Sequence, residues 1–501
     1  MMEQLKQLSK KTQILIGLGL ACAVIILSFF IGRIDALLIL GAVVALAVSL
    51  FIYRSPFLGL VVITFFLPFE RIGSYDVAGI TIRISQLLTL ILIVAWLARG
   101  IINRNLKIAR SPIAIPMLVF LLVNILALTN ALNLERALLV LAFTAFTMLF
   151  SYMVTQLVTD EERLTKVIRI LLITTTIVCL FGVWQFFGDM IDLPTSLTGL
   201  REHYTKDVFG FPRIQSTALE PLYFANFLLL PISLLFVFLV SRSSAIKKIW
   251  LLPLFVLAGL NMVLTVSRGG YLGVAVILLV IGLFYLKKMF RWKFLLSLIA
   301  GVAVVWVVAV YALGFGDIFR LNSDTFLTHV QNAFSGPAYI ERVETIEWAQ
   351  QAWLDEPWIG IGPGQYGPYV STHPYVVPDE GWKIVNNEFI ELLAETGILG
   401  LVSFVVILLL LITRSIKAIM RAQSNYLKAI MVALLATLLG VIAQYQTFSI
   451  LYIMHIWFLI GLMVAVQNII LKKISHKTVM PDNDSASPRP PKKISTNTPQ
   501  S

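Results

Sequence analysis

Val385-Asn-Asn-Glu-Phe-Ile-Glu-Leu-Leu-Ala-Glu-Thr-Gly397 closes a polar break, from about Phe315 to Glu395, in a chain that is otherwise strongly apolar. Tyr339-Ile-Glu-Arg-Val-Glu344 and Pro357-Trp-Ile-Gly-Ile-Gly-Pro-Gly-Gln365 stand earlier in the same break. On either side the sequence is built of apolar runs near 20 residues long, the length of a membrane-crossing helix. Barrel strands would instead alternate in segments of about ten residues. The fold class that follows is all-α: a polytopic integral membrane helical bundle with about 14 transmembrane helices and one large external loop. A loop beyond about 15 residues is functional or disordered. This one is too rich in Trp, Tyr and Ile for disorder, so the chemistry is expected there.

The apolar runs centre near residues 14–32, 36–53, 57–69, 84–98, 112–132, 137–158, 167–187, 220–240, 249–266, 271–286, 294–314, 396–413, 427–447 and 449–470. With this count the basic clusters fall on one side, among them Arg99 to Arg110, Arg163 to Arg169, Lys287 to Lys293 and Arg414 to Lys428. That asymmetry is the positive-inside pattern. It puts both termini in the cytoplasm and the long loop outside. It also accounts for the net charge of +12 without nucleic acid as a partner. The basic start, Met1 to Lys11, precedes a run read as a retained first helix rather than a cleaved signal peptide. The expected organisation is a transmembrane bundle over residues 1–314, the external loop over 315–395, further spans over 396–471 and a disordered cytoplasmic tail over 472–501. Cys22 and Cys179 both lie in apolar runs and suggest neither a disulfide framework nor a metal site.

Within the loop, Ile340, Val343, Ile346 and Trp353 recur at helical spacing, which predicts an amphipathic helix on the mouth of the bundle, ended by Pro357. Gly360, Gly362 and Gly364 around Pro363 predict a tight turn, and Asn387 to Glu395 a second helix running into the next span. The glycine turn lacks the Lys-Ser/Thr of a P-loop and follows no strand, so it is a weak nucleotide motif.

On this topology the unusual polar groups gather on the external side. Arg213 and Glu220 precede the span near 220–240. Thr265-Val-Ser-Arg268-Gly-Gly270 ends the span near 249–266. Arg342, His373, Asn386, Asn387, Glu388 and Glu391 lie in the loop. Arg213, Arg268 and Arg342 together would make an anion site, because Arg binds phosphate bidentately and keeps its charge. Taken singly, Arg268 reads equally as a snorkelling helix-end residue, and Arg213 and Arg342 as members of surface ion pairs. His455, inside a span, reads first as a helix–helix hydrogen bond.

Ser267-Arg268-Gly269, the order Arg342…Trp348…Pro357 to Gln365, Asn386 to Gly400, and Arg213-Ile-Gln-Ser-Thr-Ala-Leu-Glu-Pro-Leu-Tyr-Phe-Ala-Asn226 resemble the O-antigen ligase and O-antigen polymerase superfamily of bacterial membrane glycosyltransferases. The resemblance implies a glycan donor carried on undecaprenyl diphosphate. It implies a glycan, lipid A-core or other acceptor, no metal or nucleotide cofactor, and membrane lipid as the surroundings. The implied location is the bacterial cytoplasmic membrane. Arg213, Arg268 and Arg342 would then stabilise the departing diphosphate. Gly362, Gly364, Asn386 and Asn387 would shape the loop or bind acceptor. Many ligases of this kind carry a histidine where this chain has Asn386, which leaves Glu220, Glu388 and His373 as candidates for the general base and tilts the reading towards a polymerase or a ligase of another polysaccharide. The competing class is a transporter or flippase of a lipid-linked or anionic solute. Transporters place polar groups near the bilayer midplane, where this sequence has few, chiefly Asn124, Gln444 and His455.

Overall fold

The computed structural model describes residues 46–71, 74–77, 80–104, 109, 111–241, 243–289, 337–372, 383–449 and 451–478. These form helices α1 (Pro56–Phe66), α2 (Ile84–Ile102), α3 (Ala114–Ala127), α4 (Leu134–Leu157), α5 (Glu161–Met190), α6 (Pro221–Ser241), α7 (Leu251–Leu264), α8 (Arg268–Met289), α9 (Pro337–Asp355), α10 (Tyr366–Ser371), α11 (Glu388–Arg421), α12 (Asn425–Gln444) and α13 (Met454–Thr478). Eight of them are long and apolar enough to cross a membrane, and three shorter apolar helices accompany them. Together they coincide with eleven of the expected spans. The runs near 14–32 and 294–314 lie outside the described residues, and that near 36–53 is described, as helix, only from residue 46.

The all-α expectation needs one amendment. Ser74–Val77 and Ile80–Arg83 pair as a short antiparallel hairpin between α1 and α2. At its end the Arg83 amide donates to Gln86 Oε1 at 2.9 Å, which starts α2. Local capping fixes other helix starts. Asn133 accepts the Arg136 amide at 3.0 Å, Asp160 the Arg163 amide at 2.9 Å and Ser424 the Leu427 amide at 3.4 Å. Each such cap satisfies an amide that has no partner within its helix.

The bundle is layered by burial. The apolar windows of α13, α6 and α12 are 94%, 89% and 72% buried, against 50% or less for the other five long helices. Helices apolar all round occupy the centre, and those with one exposed apolar side form the rim that faces lipid. Glycines allow the closest approaches. A Cβ at Gly440 would lie 2.8 Å from the Gly273 carbonyl, so α8 and α12 touch backbone to backbone.

The loop carries a satellite core of its own, with Ala349, Ala352, Ile361, Tyr366, Val370 and Ala394 buried together. It corrects the reading of α9. Val343 and Ile346 are exposed, and the buried face is Thr345, Ala349 and Ala352. Small side chains let α9 approach Tyr366, whose hydroxyl donates to the Thr345 carbonyl at 2.8 Å. Hydrophobic spacing marked the helix but not its inward face. α11 runs unbroken in sequence through residue 395, bending at Gly397, where φ is +62°. α13 continues past residue 472 to Thr478.

Candidate functional site

The ends of α1, α5, α7 and α12 meet the starts of α2, α6, α8 and α13 at one end of the bundle, beside α9 to α11. Two strained positions shape the backbone here. Val266 has φ of +50° and Ser216 of +51°, a region costly for a β-branched residue. Ser216 is held by the Gln185 side chain at 2.7 Å and by its own hydroxyl on the Val178 carbonyl at 2.7 Å. The Val266 turn presents its carbonyl and that of Thr265 to Arg213, whose Nη2 and Nε each lie 3.4 Å away. The same turn sets Arg268 as the first residue of α8.

Arg213 stacks 5.8 Å above the Tyr204 ring. Burial lowers its guanidinium pKa from the usual value; Tyr204, Tyr271 and Glu220 oppose that shift, and Arg268 adds repulsion. Arg268 in turn is repelled by Arg342 on α9. The structure therefore brings Arg213, Arg268 and Arg342 into electrostatic reach in succession, with Glu220 half-buried beside Arg213. Like charges gathered in this way repel one another, and an anion relieves that repulsion.

Below the arginines lies a buried polar chain. Glu70, 6% exposed, ends the segment after α1. Its amide donates to the Thr217 carbonyl, and its Oε2 faces the Leu219 amide at 3.4 Å. Burial holds the carboxyl above its ordinary range; Arg83 and the Leu219 amide draw it down, and Glu220 pushes it up. Glu70 Oε1 is 3.7 Å from His455 Nδ1. His455 Nε2 meets Asn226 Oδ1 at 2.6 Å, and Asn226 Nδ2 donates to Gln444 Oε1 at 2.7 Å. Gln444 and Thr447 border Gly269, where a Cβ would come within 2.2 Å of Thr447 Oγ1. His455 is thus the helix–helix hydrogen bond expected of it. The roles of Glu70 and Arg83 carry no signal in sequence, because each follows a short polar interruption with no periodicity.

The glycine turn is occupied by its own chain. The amides of Gly364 and Tyr366 donate to the Glu395 carboxylate at 2.7 and 3.0 Å, and the Gly362 amide to the Glu395 carbonyl at 2.9 Å. Gly362 and Gly364 adopt φ of +109° and +70°. Gln365 and Asn133 exchange two hydrogen bonds, and Arg136 Nε donates to the Gly364 carbonyl at 2.6 Å, so the turn is clamped to the start of α4. A carboxylate already fills the amide cradle that a phosphate would need.

Asn386 has φ of +59°, and its amide donates to Ser449 Oγ at 3.0 Å. Asn387 caps α11, accepting the Phe389 and Ile390 amides at 3.1 and 3.3 Å. Glu388 is buried, and its amide donates to the Tyr445 carbonyl at 2.9 Å. Glu391 accepts the Val385 amide and the Ser449 hydroxyl. Tyr452 lies within electrostatic reach of Arg136, Glu391, Glu395 and Glu388. His373 lies outside the described residues. The site thus has a cationic arm, Arg213–Arg268–Arg342 with Glu220, and an acidic arm at the start of α11 whose side chains largely hold the loop.

Residues 253–405 match the model of the O-antigen ligase family. The match supports an O-antigen ligase/polymerase-like family for that segment, which is similar to membrane proteins that join glycans. The matched segment includes Arg268, Arg342, the glycine turn and the start of α11; Arg213, Glu220, Glu70 and His455 lie outside it. No curated protein matches the chain.

Proposed function

We propose that this protein is a glycosyltransferase that transfers or polymerises a glycan from an undecaprenyl-diphosphate carrier at the outer face of the bacterial cytoplasmic membrane. The long loop, with α9, α10 and the start of α11, faces outward, and both termini are cytoplasmic. The observation that carries the reading is the succession Arg213–Arg268–Arg342 at the strained Val266 turn, where a departing diphosphate finds fixed cations. The acceptor hydroxyl gives its proton to Glu220 as its oxygen bonds to the anomeric carbon. The carbon–oxygen bond to phosphate breaks, and the diphosphate leaves with the electron pair. Glu220 is favoured over Glu388 because it lies beside Arg213, whereas Glu388 is buried against the α12 end. The absence of a histidine at Asn386 favours polymerisation, or ligation of another polysaccharide, over transfer to lipid A-core. The polar groups in the spans support an enzyme over a transporter, since Asn124 bonds within its own helix and Asn226, Gln444 and His455 bond to one another.

The test uses the full chain in nanodiscs with an undecaprenyl-diphosphate oligosaccharide, with and without a second acceptor. A ladder of lengthening lipid-linked glycans establishes a polymerase. A single transfer that needs the second acceptor establishes a ligase. Arg268→Ala is expected to lower turnover by about 100- to 1,000-fold, the scale of losing one preorganised charge-stabilising donor. Full activity in that variant overturns the diphosphate role. A donor left intact across several acceptors but flipped across the bilayer overturns the enzyme.

A further inference from the structure

At the opposite end of the bundle, where α2 and α4 end and α1 and α5 begin, lies a cleft of about 560 Å³. Arg54, Arg99 and Arg163 line it, with Trp96, Phe57 and Asn103. The arginines come from three separate segments, so no single helix periodicity explains their meeting. Each is anchored or positioned by its surroundings. Arg99 Nη1 donates to the Arg54 carbonyl at 3.0 Å, and Arg163 Nη1 to the Leu157 carbonyl at 3.1 Å. The Arg163 guanidinium sits 5.3 Å above the Phe57 ring. Among the described residues no carboxylate lines the cleft; outside the lining, Asp160 Oδ2 is 3.4 Å from Arg163 Nε. An exposed pair of that kind is weak, and the lining itself is basic.

We propose that this cleft binds the phosphodiester of an anionic phospholipid. Its place at the ends of membrane-crossing helices puts the arginines at headgroup depth, where Trp96 supplies an amphipathic ring typical of that zone. Basic pockets between helix ends are the usual form of anionic headgroup sites. A soluble phosphate would use the arginines but not the aromatic lining of Trp96 and Phe57. The inference is independent of the glycan chemistry at the other end.

The test is calorimetric titration of the delipidated full chain in detergent with short-chain phosphatidylglycerol, short-chain phosphatidylcholine and inorganic phosphate. Saturable phosphatidylglycerol binding is expected, about tenfold tighter than either competitor. Arg99→Gln and Arg163→Gln are each expected to weaken it about tenfold, the worth of one charge-assisted hydrogen bond. Asp160→Asn keeps the α5 cap but removes the competing charge, and is expected to tighten binding; a merely structural role for Arg163 would not produce a gain. Arg99→Lys, with its charge kept, is expected to restore part of the affinity and guards against misfolding as the cause. Equal affinity for phosphatidylcholine, or unchanged affinity in the Arg→Gln variants, overturns the proposal. Inorganic phosphate binding as tightly as the lipid overturns the lipid as ligand.

Discussion

His455 and Asn226, 229 residues apart, share a 2.6 Å hydrogen bond at the centre of the bundle, between its two most buried helices. Asn226 also donates to Gln444, so one amide ties α6 to both α12 and α13. Asn226→Leu keeps the volume but strands His455 Nε2 and Gln444 Oε1. The expected loss is about 1–3 kcal/mol for each stranded group, read as a lower midpoint of thermal unfolding in detergent. A midpoint equal to that of the native chain would show that the three side chains contribute no net stability.

Gly360 has φ of +77°, and a Cβ there would fall 2.3 Å from the Glu395 backbone carbon. The loop cannot close over α11 with that atom present. Gly360→Ala should therefore open the Pro357–Tyr366 segment to limited proteolysis and abolish glycan transfer. Gly259, in α7, has nothing within 4 Å of its Cβ position. Gly259→Ala is expected to be neutral or to stabilise by up to about 1 kcal/mol. Equal effects of the two substitutions would contradict the backbone contact at Gly360.

Asn387 separates two roles that a sequence motif merges. As the cap of α11 it accepts two amides, and Asp serves there as well as Asn. Asn387→Ala should cost about 0.5–2 kcal/mol, whereas Asn387→Asp should leave the unfolding midpoint near that of the native chain. If Asn387→Asp also leaves turnover unchanged, Asn387 acts by capping; a selective rise in acceptor KM would instead assign it to acceptor binding.

Glu70 sets a pH dependence. Burial raises its carboxyl pKa in the folded chain above the ordinary value of about 4.5. A raised carboxylate binds its proton more tightly in the folded than in the unfolded state. Its contribution is thus fully present below the unfolded value and is lost as pH rises towards the folded one. The unfolding midpoint is expected to decline with rising pH from about 4.5 upward. Glu70→Gln, permanently neutral, should flatten that decline. An unchanged slope in the variant would show that other groups set it.

Much of the architecture was legible in the chain. Apolar runs of span length announce membrane helices, since no other backbone arrangement of such segments satisfies its amides in lipid. The block from Asn387 to Glu395 announces a helix, and in the structure Asn387, Asp160 and Ser424 start their helices by local capping. The glycines at 360, 362 and 364 announce a turn for the same reason. Arg213 and Arg268 stood out as charges at span ends, and Arg342 as one in the long loop. The inward face of α9 did not, because small residues there answer to the approach of Tyr366 and not to hydropathy.

The amino-acid sequence by itself determined the membrane-spanning character, most span positions and the polar segments where chemistry can occur, all set by interactions among residues near one another in the chain. The tertiary structure alone decided which polar groups meet. It joined Glu70 to His455, and His455 to Asn226 and Gln444. It filled the glycine cradle with Glu395 and gathered three arginines into a second cleft at the far end. Those pairings depend on helix ends brought together by lateral packing, and no periodicity within a single helix records which neighbour it will have.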